Sequence, residues 1–275
     1  MPSARRGQGG FRVTVQILQW TAAVYLAAGL MGGLGLALET RRLERAAVGL
    51  LALGALLHAA SFGSLHLAEH PPPLTDLRAA FSFMAWGGTV FFLILLKRSR
   101  LQHLVVLVAP GAFLGAFLDA LRPPLAAPAE SATGSWSHAH VLLSSAGISL
   151  LGLAGLAGVM FLIEHKRLKS KAPLDRRFPL PSLEALDRVN AVALAAGFPL
   201  LTFGMITGVI WLQTTKGVLW SGTAHGTWTF VAWAVYGGLV VARFVIKQGS
   251  RQTAASAVGG FAFLVFAVIG LELIL

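Results

Sequence analysis

Histidines and tryptophans are the side chains of this protein that could carry chemistry. The sequence has eight histidines and seven tryptophans but no cysteine, which excludes disulfides, thiolate metal sites and a cysteine nucleophile. Neutral imidazole is a common metal ligand, and an indole ring offers a flat face for stacking. Together the two residue types favour a flat, hydrophobic, metal-containing ligand such as a metalloporphyrin.

The densest group of such residues lies in the C-terminal half. Four tryptophans fall within 23 residues, at positions 211, 220, 228 and 233, and His225 lies among them. Upstream, Trp136 is followed closely by His138 and His140. Tryptophans also form belts at membrane interfaces, and that alternative stays open. A flat, metal-containing ligand would use this combination of stacking faces and imidazole.

His58 is a separate candidate, because it lies in the middle of a long apolar stretch, Ala46–Leu67. It is 12 residues into that stretch, about 18 Å along a helix, which is close to mid-membrane. A charged histidine there is costly, so the side chain should be neutral and held by a partner. Two interpretations remain: a hydrogen bond to a neighbouring helix, or a bond to a metal or porphyrin iron.

Eight apolar stretches must position these residues. Hydrophobic residues make up 56% of the chain and charged residues 12%, and the mean hydropathy is +0.72. Stretches of about 20 apolar residues span a bilayer, and in lipid they must be helical to satisfy their backbone hydrogen bonds. The sequence therefore predicts an all-α, polytopic membrane protein with eight transmembrane helices: Val15–Leu38, Ala46–Leu67, Ala79–Leu96, Leu101–Leu121, His140–Ile163, Val189–Leu212, Thr223–Ile246 and Thr253–Leu275.

The same pattern predicts the domain organisation. Residues 1–14 form an N-terminal tail, and residues 15–275 form a single membrane domain. Helices 1–5 occupy residues 15–163, a cytoplasmic loop covers 164–188, and helices 6–8 occupy 189–275. Within the loop, Ser182 followed by Glu184 and Asp187 is typical of a helix N-cap with an acidic first turn, which predicts a short amphipathic segment leading into helix 6.

Basic residues indicate the orientation of the chain. Of its 22 lysines and arginines, 16 lie after helices 1, 3, 5 and 7, which places those loops in the cytoplasm. The expected location is the inner (cytoplasmic) membrane, with both termini and the 4–5 and 6–7 loops on the outer side. This bias also accounts for the net charge of +11, so we expect a bilayer and no nucleic acid as the partner of the basic residues.

Glycines within the predicted helices indicate close helix packing. Motifs such as Gly152-x-x-Gly155-x-x-Gly158 and Gly204-x-x-x-Gly208 place small residues on one helix face, where another helix can approach. None of them has the context of a nucleotide-binding loop.

Three segments carry a resemblance to a known family. They are the run from His140 to Lys169, the run Leu180-Pro181-Ser182-Leu183-Glu184-Ala185-Leu186-Asp187-Arg188-Val189-Asn190, and Gly197-Phe198-Pro199-Leu200-Leu201-Thr202-Phe203-Gly204 with Gly208 and Trp211. In these segments the chain resembles the cytochrome c assembly family of haem-handling membrane proteins, with its CcsA-, ResC-, CcmC- and HemX/YpjD-like members. The resemblance covers helices 2 to 8.

In that family a tryptophan-rich outer segment cradles haem, and flanking histidines are its ligands. The corresponding segment here runs from Lys216 to Trp228 and keeps Gly217, Trp220, Ser221 and Trp228, while His225 stands in place of a lysine. The resemblance implies His140 as an outer haem ligand and His58 as the match to a histidine of helix 2. His225 could then be the second axial ligand, opposite His140.

The resemblance implies a haem-handling assembly or transport factor, not a conventional enzyme, that binds or delivers haem b for cytochrome c maturation at the outer face. Its partners would be haem, the bilayer, and apocytochrome c or another cytochrome c assembly subunit. Two alternatives remain: a HemX-like membrane regulator of haem synthesis, and a haem-free accessory subunit of a membrane complex.

Overall fold

The computed structural model describes residues 2–67, 77–96, 102–121, 135–170 and 181–267. Regular secondary structure in these ranges is entirely helical, which confirms the all-α prediction. A 3₁₀ turn, Gln102–Leu104, leads into the fourth of eight α-helices. Their bounds are α1 Pro2–Ala37, α2 Arg41–Leu67, α3 Leu77–Leu96, α4 Val105–Ala120, α5 Ser135–Lys169, α6 Leu183–Lys216, α7 Ala224–Phe244 and α8 Ser250–Val265.

Six of the described helices are long and apolar enough to cross a membrane, so the protein is a polytopic helical membrane protein. They are α1 to α3 and α5 to α7. The α4 helix has 16 residues, and α8 has 16 before it continues as a π-turn to residue 267. The rest of the predicted eighth span, residues 268–275, lies outside the described residues.

Several helices extend beyond the predicted spans. The α1 helix begins at Pro2, within the predicted N-terminal tail. The α5 and α6 helices take up residues 164–169 and 183–188 of the predicted loop. Hydropathy reports where lipid ends, whereas Arg, Lys and Glu are good helix formers that continue a helix into water. Ser182 is the N-cap, as predicted, but it caps α6 itself, and the predicted amphipathic segment at residues 183–188 is continuous with that helix.

The helices form two compact units. In the first unit α1 packs along α2 and α4, and α3 packs along α4. Glycine permits the close approach of α1 and α2, because a Cβ at Gly54 would lie 2.6 Å from the ring of Tyr25.

In the second unit α5 packs along α6 on one side and α8 on the other, and α7 contacts both α6 and α8. The predicted glycine motifs lie at these contacts. A Cβ at Gly158 would come within 2.6 Å of the Ala254 carbonyl oxygen of α8, and a Cβ at Gly147 within 2.6 Å of the Leu201 nitrogen of α6. The single membrane domain covering 15–275 stays a prediction.

Candidate functional site

His140 lies in the first turns of α5, where α5 crosses α6. Its Nδ1 is 2.7 Å from the backbone carbonyl oxygen of Gly204, and the Ser144 hydroxyl is 3.4 Å from the same nitrogen. The imidazole is half-buried. The α5 helix therefore presents His140, and the backbone of α6 fixes the direction of its ring.

The bond to Gly204 also determines which ring nitrogen carries the proton. A carbonyl oxygen can only accept, so Nδ1 must donate, and Nε2 of the neutral ring is left with its lone pair. Within the described part of the chain, Nε2 has no hydrogen-bond partner. A donor bond from Nδ1 to a backbone carbonyl is the arrangement that orients metal-binding histidines and makes them more basic.

Trp211 and Gly208, both on α6, complete the surroundings of His140. The indole of Trp211 is nearly parallel to the imidazole, with ring centroids 6.3 Å apart and an interplanar angle of 20°. A Cβ at Gly208 would lie 2.6 Å from Nδ1, so only glycine leaves room for the ring in this position. The α6 helix thus supplies the carbonyl oxygen that accepts from His140, an indole face beside its ring, and the space at Gly208 that the ring needs.

His225 is the second residue of α7. Thr223 is the N-cap of that helix, and its hydroxyl accepts a hydrogen bond from the Gly226 nitrogen at 3.2 Å. The side chain of His225 lies outside the described part of the structure. Its role as second axial ligand therefore stays a prediction.

Trp220 and Trp228 belong to different aromatic groups. Trp220 is 49% exposed and meets the ring of Phe230 edge-on at 6.0 Å. Trp228 is 37% exposed and contacts Phe263 of α8 and Phe266, the C-cap of that helix, with ring centroids 5.9 and 6.0 Å away. Residues 228 and 230 are about 200° apart around a helix, which separates the two groups. Neither tryptophan makes a ring contact with His140 in the described residues.

His58 is fully buried within the first unit, where it links three helices. Its Nε2 lies 2.8 Å from the Ser82 hydroxyl of α3, and its Nδ1 lies 3.4 Å from the Tyr25 hydroxyl of α1. The ring of Phe62 stacks on the imidazole at 5.0 Å. Both nitrogens are occupied and the ring is covered, so these contacts favour the interhelical hydrogen bond and do not fit an axial ligand.

Replacing His58 distinguishes its two predicted roles. As an interhelical link, His58→Gln should keep one hydrogen bond and cost about 1 kcal/mol. His58→Leu should cost about 1–3 kcal/mol, since it removes the imidazole partner of the buried Ser82 hydroxyl and one partner of the Tyr25 hydroxyl. Thermal unfolding measures both, and the haem content of the purified variants should equal that of the wild type. Loss of haem with unchanged stability in both variants would show that His58 is a ligand.

Four residues around His140 were not among the predicted site residues: Ser144, Gly204, Gly208 and Trp211. The signal for them was present in the glycine motif of α6, which was interpreted as packing alone. A packing glycine exposes its backbone carbonyl to the opposite helix, and a polar side chain on that helix can use it. Spacing does not show which side chain on the opposite helix will do so.

The arrangement defines a class of protein: a polytopic helical membrane protein that presents an oriented imidazole beside a flat aromatic ring. Among the described residues, no three His, Asp or Glu side chains come together to hold a bare metal ion. One imidazole with a free Nε2 suits an iron whose other ligands come from a porphyrin. The residues at His140 thus fit haem.

Comparison with known proteins agrees with this class. The family described as "Cytochrome C assembly protein" matches residues 74–275, which is most of the chain. The chain therefore belongs to the cytochrome c assembly protein family, as the sequence resemblance predicted.

Individual relatives carry the name cytochrome c biogenesis protein CcsA. The protein of that name from Microcystis aeruginosa is 25% identical over 94% of this chain and 90% of its own length. The Guillardia theta protein is 26% identical over 73% of each chain, and a Prochlorococcus marinus protein is 27% identical over 74% of each.

Proposed function

We propose that this protein handles haem for cytochrome c maturation, binding or delivering it at the outer face of the membrane. The observation that carries the proposal is the His140 site: an imidazole whose Nδ1 donates to Gly204 and whose Nε2 has no hydrogen-bond partner among the described residues, in a chain of the cytochrome c assembly family. The names of the relatives favour maturation over a regulatory role.

Haem is the cargo in this proposal, in its unattached b form, and its iron supplies the metal centre to which histidines bind. His140 would provide one axial nitrogen and His225 the other. Trp211 would hold the His140 ring in place, because its indole stacks on that imidazole. Trp220 and Trp228 would form further aromatic walls, and the partial exposure of both supports this role. His58 would stabilise the first unit from inside.

The partners follow from the location of the site. We propose that apocytochrome c, or another cytochrome c assembly subunit, meets the protein at the outer ends of α5 and α7. The protein would act as a transport or assembly factor, since the chemistry it supplies is to hold and orient haem.

The proposed function predicts a spectrum and a phenotype. Protein purified from cells that make haem should show a Soret band, and the haem should extract with acidic solvent because it is not covalently attached. Deleting the gene should remove c-type cytochromes while b-type cytochromes persist, and the wild-type gene should restore them. Normal c-type cytochromes in the deletion strain would overturn the proposal.

We further propose eight transmembrane helices in the inner membrane, with both termini outside. The excess of basic residues after helices 1, 3, 5 and 7 supports this orientation. A cytoplasmic reporter fused after Lys171 should be active, and a periplasmic reporter fused there should be inactive. Fusion after Lys216 should give the opposite pair of results. An active periplasmic reporter after Lys171 would contradict the orientation.

A further inference from the structure

Among the described residues of the second unit, one end has more cations than its acidic residues can neutralise. This is the end at which α5 finishes and α6 begins. The three acids that the structure describes there each have an arginine partner, at 3.9, 3.0 and 2.7 Å: Glu164 with Arg167, Glu184 with Arg188 and Asp187 with Arg243. Four cations at this end have no acidic partner within the described residues: Lys166, Lys169, Lys247 and Arg251.

An open apolar groove of about 400 Å³ runs between α5 and α8 of the same unit. Its walls include Gly155, Leu156 and Val159 on α5, and Val258, Ala262 and Val265 on α8. Every one of these side chains is apolar or absent. In a membrane protein such a groove accepts an acyl chain without leaving a polar group unsatisfied.

Two of the unpaired cations lie on the helix faces that form the groove. On α5, Ile163 and Lys166 follow Val159 at intervals of four and three residues, so all three share a face. On α8, Arg251 precedes Val258 by seven residues, which is two turns. Val159, Ile163, Lys166 and Arg251 are all exposed, so each wall of the groove continues to a cation along an open face.

The two cations also lie at the same end of the groove. The α5 and α8 helices are antiparallel, because Gly152 is opposite Phe261 and Gly158 is opposite Ala254. Measured from the level of Gly158, Arg251 is about 4.5 Å and Lys166 about 12 Å towards that end. Long side chains that extend towards the membrane surface can close this difference of about 7.5 Å.

We propose that this groove binds an anionic phospholipid, with an acyl chain between α5 and α8 and its phosphate held by Lys166 and Arg251. The apolar wall requires a hydrocarbon chain, and the two unpaired cations require a negative headgroup at one end only. A phospholipid has both a hydrocarbon chain and an anionic headgroup. Its phosphate lies where the helices leave the hydrocarbon, which is the level of the two cations. The proposal does not depend on haem.

Lipid titration of the purified full-length protein tests the site. Native mass spectrometry would compare phosphatidylglycerol with phosphatidylcholine that has the same acyl chains. Each juxtamembrane cation contributes about fivefold to the binding of an anionic headgroup. Lys166→Gln with Arg251→Gln should therefore weaken phosphatidylglycerol binding about 25-fold and phosphatidylcholine binding much less, because the choline cation offsets the charge of its phosphate.

Two further variants separate this groove from general surface charge. Arg188→Gln with Lys247→Gln removes the same two charges from the same end, but Arg188 lies on α6 and Lys247 lies between α7 and α8, outside the two groove-forming helices, so it should change binding less than twofold. Ala262→Trp fills the groove while keeping both cations, and it should weaken the binding of both lipids more than tenfold. Equal losses in the two charge variants, or unchanged binding in Ala262→Trp, would overturn the proposal.

Discussion

Replacing His140 by alanine should lower the haem content of the purified protein at least tenfold. Even the partners of a metal-binding histidine are worth about 10–100-fold in metal affinity, and the ligand itself should be worth more. The measurement is the Soret absorbance per mole of protein. The amount of c-type cytochromes in cells that carry only the variant should fall as well.

The matched control for this change is His138→Ala. His138 lies two residues earlier on α5 and is exposed, whereas His140 faces α6. The control should keep its haem and its Soret maximum. His140→Gln separates ligation from packing, because an amide can still donate to the Gly204 carbonyl but offers no imidazole nitrogen. We expect it to lose haem while it unfolds near the wild-type temperature.

Added imidazole gives a readout that a purely structural role would not move. The space left in His140→Ala lies beside Trp211 and Gly208, where free imidazole can enter. Millimolar imidazole should restore the Soret band in His140→Ala and have no effect on His138→Ala. Full haem content in both His140→Ala and His140→Gln would remove His140 from the site.

Some helix ends could have been predicted more accurately from the sequence. The α6 helix ends at Lys216, four residues beyond the predicted span, and its C-cap is Gly217 with a φ of 70°. A glycine that stops a helix in the left-handed conformation is readable from sequence. The start of α1 at Pro2 could not be predicted in this way. The residues before the span include three arginines and give no hydropathy signal.

The histidines show where sequence reasoning stops. Burial and depth were sufficient to expect that His58 is neutral and held by a partner. The choice between Ser82 and an iron depended on which face of α3 meets α2, which periodicity within one helix does not determine. His140 was expected at the start of its helix, yet the acceptor that fixes its tautomer belongs to a residue 64 positions away.

Changing Gly204 to alanine should destabilise the protein and disturb the site in one step. A Cβ at this position would lie 2.7 Å from the Ser144 nitrogen and 2.9 Å from its Cα. These are backbone atoms of α5, so the two helices must separate. Overpacking of this kind costs about 1–3 kcal/mol, which for a chain of this size lowers the unfolding temperature by about 2–12 °C.

The same separation stretches the bond from His140 to the Gly204 carbonyl, so we expect haem content to fall together with stability. Gly238→Ala is the matched control: this glycine lies inside α7 with nothing within 4 Å of the added Cβ. It should unfold at or above the wild-type temperature, because alanine favours a helix over glycine by about 1 kcal/mol, and it should keep its haem.

Gly197→Ala tests the coupling to His140, because it lies in the same α5–α6 interface but meets only the side chains of Leu150 and Leu151, at 3.0 Å or more. It should lower stability less than Gly204→Ala and leave the Soret maximum unchanged. If Gly204→Ala matched the wild type in both unfolding temperature and haem content, α6 would not hold His140 in place.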